Sequence, residues 1–180
     1  MVKWIPALFS VIAFSKGFSQ ASDSMKCWEP NRKLTWSDFK GKIDKTSSYG
    51  AICPSRITVY PVGDSVYHVR VTFFRYEAWA KIKSPYPLAH EQLHFDITEL
   101  YARKVRKIIK ELFKGEYSGE FADAVTDRVE ELEARQKIYD KETAHGGLRD
   151  VQAKWWKHIY AELETLNEYA STAEDCLLKK

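Results

Sequence analysis

His90, Glu91 and His94, within the run His90-Glu91-Gln92-Leu93-His94, are residue types at a spacing that suits metal-dependent hydrolysis. On a helix, positions four apart share a face about one turn apart, so two neutral imidazoles can close on one metal ion beside a carboxylate. Two nitrogen ligands leave room for a third ligand and an open position, where a metal can activate water and Glu91 can take its proton. The cofactor this predicts is Zn²⁺.

The flanking sequence supplies the helix. Ser84-Pro85-Tyr86-Pro87 gives a start signal, and no Pro or Gly follows until Gly115. His90, His94, Ile97, Tyr101, Val105, Ile108 and Leu112 recur at helical spacing, which puts both histidines on the buried stripe of a helix over Pro87 to Lys114. Two unpaired imidazoles and a carboxylate are costly to enclose unless something binds them.

Before that helix the pattern has period two. Tyr67, Val69, Val71 and Phe73 alternate with His68, Arg70 and Thr72, and Pro61-Val62-Gly63-Asp64 reads as a turn, so residues 56–80 form an antiparallel hairpin or meander. An edge of such a sheet could hydrogen-bond an extended peptide substrate. His68 is expected on the surface, Leu34-Thr35-Trp36 as a short strand or lead-in, and Trp36 and Phe39 as core plugs. After Gly115 the spacing predicts helices from Phe121 to about Tyr139 and from Leu148 onward, the first turning Phe121, Val125, Val129, Leu132 and Tyr139 toward the core, the second burying Val151, Trp155, Ile159, Leu163 and Leu166. The fold class is therefore α+β: an antiparallel sheet, a long active-site helix and two further helices.

Gly115 to Gly119 is a short connection, so the helices it joins should be antiparallel neighbours. From His94 the first climbs about 30 Å, and the second must descend as far to return to the metal. That return falls at 140–145. His145 is the first choice for third ligand, ahead of Asp140 and Glu142, with His158 weaker. Tyr139 could donate to a tetrahedral oxyanion or be a core tyrosine.

Residues 1–19 read as a signal peptide: basic Lys3, an apolar block from Trp4 to Ser15, and small residues at Gly17 and Ser19, with cleavage near Ser19 or Gln20. Residues 20–180 then form one domain, secreted or periplasmic, with no stable membrane insertion. The formal charge falls from +3 to +1 once Lys3 and Lys16 leave, which argues against a nucleic-acid partner, and the cluster Arg103, Lys104, Arg106, Lys107 and Lys110 reads as a solvated face. Cys27 could pair with Cys53, stabilising by about 3 kcal/mol, or with Cys176. No two cysteines have metal-ligand spacing.

The segments Leu34-Thr35-Trp36-Ser37-Asp38-Phe39-Lys40-Gly41, His90 to Ile97 with Glu99-Leu100-Tyr101-Ala102-Arg103, and Tyr139-Asp140 through His145-Gly146 ahead of Gln152 and Trp155 resemble a family of secreted bacterial zinc-dependent proteases, domain of unknown function 922. Leu93 departs from the small residue of that pattern. The resemblance implies a zinc-peptidase-like fold and a peptide or protein substrate. The function expected is a secreted zinc metallopeptidase; the alternatives are a binding or structural module with structural zinc or none, and a zinc amidase acting on a cell-wall crosslink.

Overall fold

The computed structural model describes residues 23–62, 66–115 and 118–177. The signal peptide expected at 1–19 and the Gly63-Asp64 part of the expected turn lie outside them. Among the described residues no helix is long and apolar enough to cross a membrane.

Strand β1 (Met25–Cys27) pairs antiparallel with β4 (Val66–Phe74), which pairs on its other side with β3 (Ser55–Val62) in register from Ser55↔Phe73 to Val62↔Val66. The period-two reading holds for Val69, Val71 and Phe73, which are almost wholly buried, but Thr72 on the opposite face is buried as well, at 2% exposure. A separate two-stranded ribbon joins β2 (Ala51–Ile52) to β5 (Trp79–Ala80). Leu34 and Thr35 are the lead-in to a single 3₁₀ turn at Trp36–Asp38, where the Asp38 carboxylate accepts from Thr35 N and from the buried Lys26. The chain then passes so close to the β4–β5 connection that a Cβ on Gly41 would lie 2.7 Å from the carbonyl oxygens of Tyr76 and Ala78. Only glycine fits there.

The helices are α1 (Pro85–Leu112), α2 (Gly119–Thr143), α3 (Arg149–Thr165) and the short α4 (Ala173–Leu177). α1 begins two residues earlier than expected because Ser84 takes the extended N-cap position and both prolines fit the first turn, where no intrahelical N–H is required. α2 runs four residues past Tyr139, with its first turn capped by the Ser118 side chain.

α1 lies between two cores. Phe95, Ala102 and Val105 pack on the sheet with Phe73 and Val71, while Leu93, Ile97 and Leu100 pack on α2 and α3 with Leu132, Tyr139, Trp155 and Ile159. Leu93 thus fills the helix-side core. Being covered on both sides, α1 also buries Glu91, Asp96, Glu99 and Arg103. Buried charges survive only when partnered, and three of these are. Asp96 accepts from Trp28, Gln92 and Tyr160; Glu99 accepts from Arg103 and from Ser171 of the carboxy-terminal segment. The solvated face expected for the basic cluster is corrected accordingly: Arg103 is 4% exposed, and Arg106 reaches inward to Val69 O, Tyr169 O and Ser171. The buried Glu99 draws both in.

Cys27 is bonded to Cys176, not to Cys53, which stays free. The bond ties β1 to α4 across 149 residues of chain, while His68, expected on the surface, faces Asp175 beside it at 3.5 Å. Closing so long a loop is worth roughly 5 kcal/mol in the chain-entropy estimate. Cys27→Ser is expected to lower unfolding free energy by about 3–5 kcal/mol in a denaturant titration. A loss below about 1 kcal/mol would show that the Glu99 and Arg106 network holds the tail unaided.

Candidate metal centre

α1 and α2 run antiparallel, and each presents one stripe to the other. On α1 the stripe carries His90 and His94. On α2, Gln136, Tyr139, Asp140 and Thr143 recur at three and four residues and so share a face. Asp140 meets both imidazoles: its Oδ1 lies 3.1 Å from His90 Nε2 and 3.0 Å from His94 Nε2, and the two Nε2 atoms are 3.2 Å apart.

The tautomers follow from the hydrogen bonds behind the rings. Gln136 donates its amide Nε2 to the His94 carbonyl at 2.9 Å, so its Oε1 is left to accept from His94 Nδ1, at 2.5 Å. Gln152 Oε1 accepts from His90 Nδ1 at 3.0 Å and from the Tyr139 hydroxyl at 2.7 Å. With a proton on each Nδ1, both Nε2 lone pairs and the carboxylate oxygen converge on one point. Three acceptors at this separation repel one another unless a cation lies between them.

His90, His94 and Asp140 form a potential metal-ligand group with all ligand atoms within 4.8 Å of one another. A tetrahedral zinc site with ligands at about 2.0–2.1 Å has ligand atoms about 3.3 Å apart. The observed 3.0–3.2 Å fits that edge. Burial alone would lower the His94 pKa, but the facing Asp140 and Glu91 carboxylates outweigh it and raise it. The same imidazoles hold Asp140 well below the ordinary carboxylate range in spite of its burial. Both shifts have the sign of a pocket built for positive charge.

Glu91 is 5% exposed and lines the cleft, yet its carboxylate accepts no hydrogen bond from any described residue. Burial raises its pKa, and the neighbouring His94 and His90 only partly offset this. The cleft has a volume of about 520 Å³ and is walled on one side by α1, Asp140 and His145, and on the other by residues 49–55 with Ile82.

His145 lies past the end of α2, at φ 52°, with its side chain 55% exposed and Nδ1 3.4 Å from Asp140 Oδ1. It lines the cleft and meets the Tyr49 ring edge-on, touching the ligand group through Asp140. Glu142 faces away, accepting from Trp155, and His158 pairs with Glu162 on the outer surface. Tyr139 is fully buried, stacked on His90, its hydroxyl between Gln152 and the His90 carbonyl. That orientation holds His90 in place instead of facing the cleft. Gly146, at φ +79°, lies against the His90 ring, where a Cβ would come within 3.0 Å of Cγ. Cys53 also lines the cleft, but burial, then the charges of Glu91 and Asp96, push its thiol well above its ordinary value, so it stays protonated.

Gln136 and Gln152 were not singled out as site residues from sequence. One signal existed: Gln136 stands one helical turn before Asp140, on the stripe that must face His94. Removing its acceptor should free the imidazole to rotate. Gln136→Leu is expected to weaken zinc binding about 10- to 100-fold in a chelator competition, with the melting temperature nearly unchanged.

Residues 77–146 match the model of a bacterial protein family of unknown function, DUF922. The matched stretch carries β5, α1, α2 and the turn with His145 and Gly146, hence all three residues of the ligand group and Glu91. No curated protein and no solved structure matches the chain.

Proposed function

We propose that the protein is a secreted zinc-dependent metallopeptidase with a zinc-peptidase-like fold. The observation that carries the reading is Glu91: a buried carboxylate without a hydrogen-bond partner among the described residues, lining a cleft beside three converging ligand atoms. A structural carboxylate would be partnered, as Asp96 and Glu99 are. His90, His94 and Asp140 hold the metal, with the two glutamines and Tyr139 keeping the rings in place. Zinc, when bound, supplies a Lewis acid that polarises a scissile carbonyl and acidifies water.

Glu91 accepts the proton of the attacking water and hands it to the leaving amine. His145, at the cleft wall, is placed to donate a hydrogen bond to substrate. Strand β2 pairs with β5 along one edge and borders the cleft, which makes it the rail along which an extended peptide lies. The leader at 1–19 and the Cys27–Cys176 bond both suit an oxidising compartment.

Protein stripped by chelator and reloaded with one equivalent of zinc is expected to cleave a mixed peptide library. Complete zinc loading without any cleavage overturns the reading. A structural-zinc module would instead need His145 as a fourth protein ligand, closing the open position.

A further inference from the structure

We propose, on the footing of the hydrolase reading, that the cleft takes an uncharged internal stretch of peptide carrying a bulky apolar side chain beside the scissile bond, and that Tyr49 and Ile82 select it. Two observations lead there. The first concerns charge. Among the described residues lining the cleft there is no lysine or arginine, and its only carboxylates are Glu91 and Asp140. Both belong to the centre, and a divalent ion would offset them, leaving the cleft neutral. Lys81, between the ribbon and Ile82, turns its ammonium to the Ser47 carbonyl and lies over the Trp79 ring.

A chain terminus bound beside the scissile bond brings a charge that must be paired: a free carboxylate needs a cation, and a free ammonium needs a carboxylate that is not already committed. Among the described residues the cleft has no such cation, and its one carboxylate not shared with an imidazole, Glu91, is taken up by the proton of the attacking water, so cleavage falls within a chain. The same argument disfavours a cell-wall crosslink whose free carboxylate lies next to the bond.

The second observation concerns the wall opposite α1. Tyr49 is 47% exposed and Ile82 65% exposed, yet both line the cleft, and Ile52 and Pro54 continue the same surface. Large apolar groups left in water at the mouth of a site gain contact only when a substrate covers them. An apolar side chain lying there meets them without disturbing the fold, whereas a charged one would be desolvated without a partner. Burying a leucine-sized side chain in such a wall is worth about ten- to a hundredfold in affinity.

The test uses zinc-loaded Glu91→Gln protein as a trap and capped hexapeptides, acetylated and amidated, with leucine, phenylalanine, aspartate or lysine at the central position. Calorimetry is expected to show the leucine and phenylalanine peptides binding at least about tenfold more tightly than the charged ones. A leucine peptide ending in a free carboxylate directly after the leucine should bind about tenfold more weakly than its amide. Ile82→Asp and Tyr49→Ser, both at exposed positions, should each erode the leucine preference, with zinc content showing that the centre is intact. Equal binding of all four peptides, tighter binding of the free carboxylate, or an unchanged preference in both variants overturns the proposal. Selective binding in the trap with no cleavage by the wild type overturns the hydrolase reading while supporting this one; cleavage without selectivity does the reverse.

Discussion

Glu91→Gln is expected to lower peptide hydrolysis by at least about a thousandfold while leaving one zinc per chain. The two halves of that result have separate causes. Glu91 is not among the converging ligand atoms, which belong to His90, His94 and Asp140, so an amide in its place removes no ligand. It does remove the only carboxylate among the described residues lining the cleft that is not already shared with an imidazole. The amide has nearly the same volume, and the carboxylate makes no hydrogen bond to a described residue that the change could break, so folding should be unaffected. Kinetics on a capped leucine peptide beside metal analysis checks both halves. Activity within tenfold of wild type would remove Glu91 from the mechanism, and loss of zinc would make it a ligand.

Asp140→Ala is expected to weaken zinc binding by roughly a hundredfold or more, and His145→Ala by less than about tenfold. Asp140 Oδ1 is within 3.1 Å of both Nε2 atoms, whereas His145 stands outside that group with more than half its side chain in solvent. Removing Asp140 takes away a negative charge and one of three donors, leaving two imidazoles that hold a metal poorly. Removing His145 takes away a ring that borders the cleft, so its effect should appear in turnover more than in metal content. Competition against a chromogenic chelator measures the first effect and single-turnover kinetics the second. Equal zinc loss in the two variants would place His145 in the coordination sphere and favour a closed, structural centre.

Much of this site was legible in the chain. The four-residue spacing of His90 and His94, the proline start of α1, the alternation across β4 and the short connection at Gly115 to Gly119 set two helices antiparallel and returned α2 to the level of the two histidines at 140–145. Within that window the choice of ligand was not legible. Successive helical residues turn by about 100°, so whether Asp140 or His145 faces α1 depends on how α2 is rotated and where it stops. α2 stops after Thr143, which leaves Asp140 on the stripe begun by Gln136 and puts His145 beyond the cap in a left-handed turn. The disulfide was open for a similar reason: Cys53 and Cys176 were equally available to Cys27 by composition, and the docking of the last thirty or so residues against β4 and α1 brings Cys176 to it.

The sequence by itself determined that His90, Glu91 and His94 stand together on one turn of a helix, because that spacing depends only on local geometry, and it determined the order of sheet and helices, because periodicity is a property of neighbours along the chain. Only the tertiary structure decided that Asp140 meets both histidines, that Gln136 and Gln152 fix their tautomers, that Arg103 and Arg106 turn inward, and that the opposite wall carries Tyr49, Ile52, Pro54 and Ile82 with no lysine or arginine among the described residues. Those outcomes rest on contacts between residues far apart in the chain, set by how α1 is enclosed between the sheet and the two following helices.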